Sequence, residues 1–479
     1  MTSSGVGPAS GKKTTEETPS AAPASAGDRP VFRTHRRLAL FGAILVVTFL
    51  SRVPFLDAGY GAINDTWRVA RAAREIATTG RYAASRFPPH PVQELVCSLF
   101  WEEGPVAFNA ATALLSSFAV LFFALSMARL GIGGVLEASA ALAFAPVIFV
   151  NSTNSSDYLW ALSFILGSLY FVLERKAVLA GIFLGLAIGS RITSGAMLLP
   201  LLILVWRTLE PGKRAAAAAK FVGAAGVVGM ATFVPVFLRY GWSFLTFIDR
   251  YISPLEVVLN ATVKVWGRLG AAAIFLAIGW WIVRRSAGRP RAVPFGPERR
   301  TLLLVCTVAI ALYAIAFVRL PHLPAYLIPA MPFVLLLLAM LLERPVFRIV
   351  CIAVVLSSFV HVGRSGLRAG PIFSDHRDRI ESMAYTKKIV EVGRTLTRKT
   401  IIIAGKWVPQ IEIYVPQLRS GPVQYVYLLD AKTLQSYQTQ GFDVYFLPGQ
   451  TKYNFKRYGV DLPARGVRPL IPESAGWHW

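Results

Sequence analysis

Charge is what this sequence has least of. Only 16% of its 479 residues are Asp, Glu, Lys or Arg, 54% are hydrophobic, and the mean hydropathy is +0.51. A soluble domain carries about a quarter charged residues, so the bulk of this chain belongs in lipid. Cysteine is also scarce. Cys97, Cys306 and Cys351 provide neither a disulfide framework nor a metal-ligand spacing. No cofactor and no tightly bound metal is therefore expected; separated carboxylates are all that a divalent cation would find. A Gly-rich phosphate loop is missing, and so is the internal repeat common among transporters. Acidic residues are the rarest charged type, 26 against 50 Lys and Arg, for a net charge of +24.

What is present is a series of long apolar runs. Crossing a hydrocarbon core of ~30 Å takes about 20 apolar residues. By that ruler the candidate spans are 38–56, 105–128, 133–152, 158–173, 177–190, 192–206, 221–240, 268–283, 301–318, 325–342 and 346–363, about eleven in all. The pair 177–190 and 192–206, short and divided by Arg191, also reads as a helical hairpin that stops short of crossing. Basic residues gather in alternate loops: Arg33, Arg36 and Arg37; Arg175 and Lys176; Arg207, Lys213, Arg214 and Lys220; Arg284, Arg285, Arg289, Arg291, Arg299 and Arg300; Arg344 and Arg348. That distribution is the positive-inside pattern. It places the N-terminus in the cytoplasm and the C-terminal segment outside a multi-pass plasma-membrane protein. It also accounts for the charge by topology and anionic headgroups, excluding a nucleic-acid partner.

The expected division is a disordered cytoplasmic tail over 1–34, a transmembrane domain over 35–363, and an extracytoplasmic α/β domain over 364–479. The first span has no convincing small-residue cleavage site and reads as a retained anchor. The outer loop 57–104 holds helix formers from Asp65 to Thr79 closed by Gly80, with Trp67, Ala70, Ala73 and Ala77 on one face. Such a helix is expected to lie flat at the interface, Trp67 at headgroup level and Arg68, Arg71 and Arg74 towards headgroups. Arg86-Phe-Pro-Pro-His-Pro91 cannot be helical, and a second short helix follows over 92–103. Beyond 364 a helix is expected over about 375–398. Buried strands are expected at 399–404, 423–429 and 442–447, a partly parallel sheet with helices between.

Ionisable groups near a membrane are costly and therefore functional candidates. On the outer side these are Asp65, His90 and Glu94 from the first loop, Asp157, Arg191, and Arg319, His322 and Tyr326 from Arg319-Leu-Pro-His-Leu-Pro-Ala-Tyr326. A carboxylate can take the proton from an acceptor hydroxyl. Cations can stabilise the charge growing on a departing phosphate. A groove between spans would take an isoprenoid tail. Asp65 also fits a plain helix cap together with Asn64, and Asp157 a polar residue ending a span.

In these stretches the chain resembles the membrane glycosyltransferases of the C-type fold, in the branch that contains protein O-mannosyltransferases and the aminoarabinose transferase. The resemblance runs over about 35–363. It rests on Asp65 opening a juxtamembrane helix, Gly80-Arg-Tyr82, Phe87-Pro-Pro-His-Pro91, Asp157 in Asn154-Ser-Ser-Asp-Tyr158, Gly185-Leu-Ala-Ile-Gly-Ser-Arg191 leading to Leu198-Leu-Pro200, and His322-Leu-Pro-Ala-Tyr-Leu-Ile-Pro329. Two positions depart from the family pattern: Thr66 where an acidic pair is common, and His322 where Lys is usual. The resemblance implies an inverting glycosyltransferase. It would move a sugar from a polyprenyl-phosphate donor to a lipid, glycan or protein acceptor on the exoplasmic face. Asp65 and Asp157 would be catalytic, with Asp65 as general base. His90, Glu94, Arg191, Arg319, His322 and Tyr326 would bind substrate, Arg191 and Arg319 near the donor phosphate. The competing reading is a transporter or flippase for lipid-linked sugars, which also needs many spans but places charges near the midplane.

Overall fold

The computed structural model describes residues 30–246, 253–287, 296–363, 366–418, 420–447 and 466–471. The expected tail falls outside these except for its last residues, which already belong to the first helix, α1 (Pro30–Leu50). Asp249, Arg250, Tyr251, Arg289 and Arg291 also lie outside them.

After α1 the loop over 57–104 forms α2 (Asn64–Thr79), a non-helical Pro-rich segment containing the cis Phe87-Pro88 bond, and α3 (Pro91–Ser98). Next come α4 (Gly104–Arg129), α5 (Val135–Phe144), α6 (Pro146–Ser152), α7 (Tyr158–Leu173) and α8 (Ala177–Ser190). A 3₁₀ turn over Ile192–Met197 leads to α9 (Leu198–Thr208) and α10 (Pro211–Tyr240). The helical part closes with α11 (Pro254–Ala261), α12 (Val263–Ser286), α13 (Pro297–Arg319), α14 (Met331–Leu341) and α15 (Arg344–Phe359).

Six helical stretches among the described residues are long and apolar enough to cross a membrane, and α5 with α6 makes a seventh if this pair, bent by 61°, counts as one span. The expected eleven are not reached by that measure. The remainder would have to come from three shorter apolar segments, 158–173, 177–190 and 192–208, and from α15, whose first turns carry Arg344 and Arg348. The bend falls at Ala145-Pro146, where proline removes a helical hydrogen bond. Arg52, fully buried, fills the break: it donates to the Ala143 carbonyl and, at 3.2 Å, to Ser152 Oγ. Large side chains such as Leu238, Leu276 and Val318 point outward, 80%, 74% and 70% exposed. Hydrocarbon is the solvent such a surface fits.

Tight packing of α8 on α10 sets the position of the residue that follows α8. Gly181, Gly185 and Gly189 recur every fourth residue and so share a face. A Cβ on Gly185 would stand 2.6 Å from Val228, and one on Gly189 would stand 2.7 Å from Val92 of α3 and closer still to Thr232. Small residues let helix backbones approach closely in lipid, where apolar burial drives little association.

The C-terminal part begins with a hairpin, β1 (Val360–Gly363) and β2 (Gly366–Ala369), then α16 (Pro371–Thr395). Strands β3 (Thr400–Ile403), β4 (Val423–Val426), β5 (Asp443–Phe446) and β6 (Val467–Pro469) form one sheet in the order β4-β3-β5-β6. All its described pairings are parallel. Helices α17 (Val408–Tyr414) and α18 (Ala431–Thr439) connect them. The expected strands and the long helix are found. β3, an unbroken buried run, lies at the centre, as a strand covered on both faces must.

Candidate active site

Asp65 lies in the first turn of α2. The residue capping that helix is Ile63, which makes no side-chain cap bond, and the Asp65 carboxylate does not serve as a cap. It turns instead to a residue the sequence reading passed over. Arg86 donates to Asp65 Oδ2 at 2.6 Å and to Asp157 Oδ1 at 3.0 Å. Arg191 Nη1 takes the other Asp157 oxygen, Oδ2, at 2.5 Å. The chain Asp65–Arg86–Asp157–Arg191 thus joins the first long loop, the α6–α7 junction and the end of α8. Residues 65, 157 and 191 meet as expected, whereas Arg319, expected to join them, does not.

The two carboxylates differ in access. The Asp157 side chain is 6% exposed, enclosed by Arg86, Arg191 and His90, whereas Asp65 is 29% exposed and opens onto a cavity. Burial opposes charge on Asp157, but the guanidiniums of Arg191 and Arg86 hold its carboxyl well below the usual carboxylate range.

The protonation of His90 follows from its neighbours. Arg86 Nε, a donor only, lies 2.8 Å from His90 Nε2, so that nitrogen must accept. The proton is then on Nδ1, 3.1 Å from the Ser190 carbonyl. The ring is neutral, and burial pulls its pKa down to about 3. Glu94 is buried beneath the Pro-rich segment and is not among the cavity-lining residues. It accepts from Tyr82 Oη, from Ser85 N at 2.7 Å and Ser85 Oγ, and from His90 N at 3.3 Å. Its place is that of a clamp that shapes residues 82–90. Burial raises its pKa in spite of those donors.

Arg191 is stacked between two rings, 4.3 Å from the Tyr158 centroid and 4.8 Å from that of Tyr326. Tyr326 Oη lies 3.0 Å from His322 Nε2. Arg319 stands apart: it ends α13 with an exposed side chain and is not among the cavity-lining residues. Arg86 occupies the position beside Arg191 that Arg319 was expected to hold.

The cavity measures about 540 Å³, within the range of small-molecule sites. Asp65, Arg68, Arg86, His90, Arg191, His322, Tyr326 and Lys406 supply its polar lining, and Tyr313, Ala316, Leu320 and Leu323 an apolar wall. Lys406 comes from the C-terminal part and was also missed. It follows a central parallel strand, and ligand sites gather outside the carboxyl ends of such strands; that was the available signal. For Arg86 the signal was a cation rigidly placed by the prolines after it.

α2 lies otherwise than expected. Trp67 is 1% exposed, donates to the Gly61 carbonyl at 2.7 Å, and packs with Tyr60 and Phe108 instead of reaching headgroups. Arg71 pairs with Glu412 of α17 at 3.8 Å, and Arg68 donates to Tyr427 Oη at 3.2 Å. The C-terminal part covers this helix, so its basic face meets protein. Among the described residues no cluster of three or more His, Cys, Asp or Glu side chains is placed to hold a metal.

Neither protein-family models nor curated proteins give a match to this sequence. Solved structures do. ArnT from Cupriavidus metallidurans bound to undecaprenyl phosphate is similar with a TM-score of 0.52 and 15% identity, over 84% of this chain and 88% of that one. Apo ArnT from the same organism has a TM-score of 0.49 at 16% identity, over 89% and 95%. An Archaeoglobus fulgidus oligosaccharyltransferase tethered with an acceptor peptide has 0.39 at 12%, over 78% and 63%. The first carries the fold assignment; the other two scores are too low to add to it. The chain is an α-helical membrane protein with the C-type glycosyltransferase fold and a small α/β part at its C-terminal end.

Proposed function

We propose that this protein is an inverting glycosyltransferase that moves a sugar from a polyprenyl-phosphate donor to an acceptor hydroxyl on the exoplasmic face. The observation that carries the reading is the ionic chain Asp65–Arg86–Asp157–Arg191 at one end of a cavity with an apolar wall. Its amphipathic lining suits a sugar phosphate continued by an isoprenoid tail. The side assignment rests on the alternation of basic loops.

In this reading Asp65, the accessible carboxylate, takes the proton of the acceptor hydroxyl through Oδ1, while Arg86 holds Oδ2. The hydroxyl oxygen bonds to the anomeric carbon from the face opposite the phosphate. The carbon–oxygen bond to phosphate breaks, and its electron pair leaves with the polyprenyl phosphate. Arg86 and Arg191 stabilise the charge that builds on that phosphate, and Tyr326 and His322 flank the sugar. Asp157 is a positioning residue, enclosed between the two guanidiniums. The donor sugar and the acceptor class, lipid, glycan or protein, are set by contacts beyond this cluster.

The test is transfer of labelled sugar in proteoliposomes supplied with polyprenyl-phosphate sugars. Wild type is expected to transfer. Asp65→Asn should lose about 10²-fold or more with an unchanged melting temperature. Arg86→Lys should also lose activity, since an ammonium lacks the planar fork with which Arg86 reaches Asp65, Asp157 and His90 at once. Full activity of Asp65→Asn would remove it as the base, and a wild type inert towards every such donor would end the reading.

A further inference from the structure

The Arg86 guanidinium is engaged on three sides, Nε with His90 at 2.8 Å, Nη1 with Asp65 at 2.6 Å and Nη2 with Asp157 at 3.0 Å. A fork so placed needs a fixed backbone, yet the segment that carries it, between α2 and α3, is neither helix nor strand. Pro88, Pro89 and Pro91 have no N–H to donate. The N–H groups that remain need acceptors from elsewhere in the molecule. Glu94 takes two of them, Ser85 N at 2.7 Å and His90 N at 3.3 Å. A third, Ala84 N, donates at 3.1 Å to the hydroxyl of Tyr240, the last residue of α10.

Tyr240 reaches this segment twice. Its hydroxyl holds Ala84, two residues before Arg86. Its ring meets that of Phe87, the residue after Arg86, edge-on, with centroids 5.1 Å apart and planes at 82°. Arg86 is thus bracketed along the chain by contacts to one side chain. The same helix end serves the second guanidinium. Ala84, Tyr240 and Ile192, which follows Arg191, all pack on the cluster of Tyr82, Val236 and Phe244. Earlier along α10, its close approach to Gly185 and Gly189 places the end of α8 from which Arg191 extends. Both guanidiniums then hold Asp157, one at each oxygen. α10 therefore fixes the two cations against one rigid element, although none of its residues lines the cavity.

We propose that Tyr240 is a positioning residue for phosphate recognition. Acting through Arg86, it sets where that guanidinium stands beside Arg191, and so how tightly the phosphate of a polyprenyl phosphate is held. This rests on the donor class proposed above. Without Tyr240, Ala84 N–H loses its protein acceptor and Phe87 its ring contact, so the Arg86 fork follows a loosened backbone.

The test is a double-mutant cycle on the full-length protein in nanodiscs, titrated with undecaprenyl phosphate: wild type, Tyr240→Leu, Arg86→Lys and the double variant. Tyr240→Leu is expected to bind the lipid about tenfold more weakly than wild type, the scale of one hydrogen bond with its supporting contact. Tyr240→Phe, which keeps the ring, should fall between the two. In the Arg86→Lys background the Tyr240 substitution should weaken binding no further, because the residue through which it acts is already gone. If Tyr240→Leu melts well below wild type, Tyr240→Phe takes its place in the cycle. An equal loss in both backgrounds is what a merely structural role gives, and it overturns the assignment. So does wild-type binding by the folded Tyr240 variant, and either result leaves the donor class intact. A wild type that does not bind undecaprenyl phosphate overturns both.

Discussion

Asp157 and His90 sit against the same guanidinium, and their protonation makes the cluster sensitive to acid. The unfolded chain protonates a histidine near the ordinary value of about 6.5, whereas folded His90 resists until about 3. Between these values the unfolded state binds more protons, so stability is present above about 6.5 and falls as pH drops towards 3. Asp157, held below the usual carboxylate range, acts in the same direction but only at lower pH. The melting temperature of wild type should therefore decline from pH 6.5 to 4.5 more steeply than that of His90→Asn. The cost is up to about 1.4 kcal/mol per pH unit. Parallel curves for the two proteins would mean that His90 is not kept neutral by the fold. At this scale the sequence showed which residue types stand near the membrane surface but not how they pair. Asp65 was legible as a carboxylate opening a helix, and its partner Arg86, 21 positions on, was not, because the Pro-rich path that returns it is set in three dimensions.

For single elements, sequence was the better guide where a pattern has one physical solution. The helices of the loop 57–104, the non-helical Pro-rich segment and the three buried strands all lie where periodicity and proline place them. What periodicity could not supply was the surroundings of a face. The Trp67 face of α2 suits an interface helix and an internal one equally, and contact with α17 decided between them. Helix α8 is the reverse case, in which spacing alone implies a close neighbour. Replacing Gly185 with Leu would push a side chain into Val228 and the backbone at Gly229. The variant is expected to melt lower by the equivalent of at least about 1–3 kcal/mol, the usual cost of overpacking. It should also lose transfer activity as Arg191 shifts. A Gly185→Leu protein with wild-type melting and activity would show that α8 and α10 do not need this approach.

Over the whole molecule, the α6–α7 junction and the C-terminal part are joined by Arg379 of α16. This side chain is 2% exposed, donates to the Thr153 carbonyl at 2.8 Å and to Thr153 Oγ1 at 3.1 Å, and pairs with Asp375 at 2.9 Å. Thr153 lies four residues before Asp157, so the C-terminal part grips the segment that carries the buried carboxylate. Arg379→Ala leaves a buried acid and a carbonyl unmatched. It is expected to cost about 3–5 kcal/mol, read as a lower melting temperature. Proteolysis between α15 and β3 should also become faster than in wild type. Unchanged melting would mean that the Arg379 grip on Thr153 is not what holds the two parts together.

Composition and the order of apolar runs determined by themselves that this is a membrane protein of many helices with an α/β segment after them. Burying apolar surface and pairing backbone groups in lipid leave few other solutions. Which charges meet, which carboxylate stays open to a ligand, and that Lys406 reaches the cavity from the far part of the chain were decided only by tertiary structure. Ion pairs and cavity walls are formed between residues tens to hundreds of positions apart. Their geometry depends on helix packing and loop paths that no local pattern encodes.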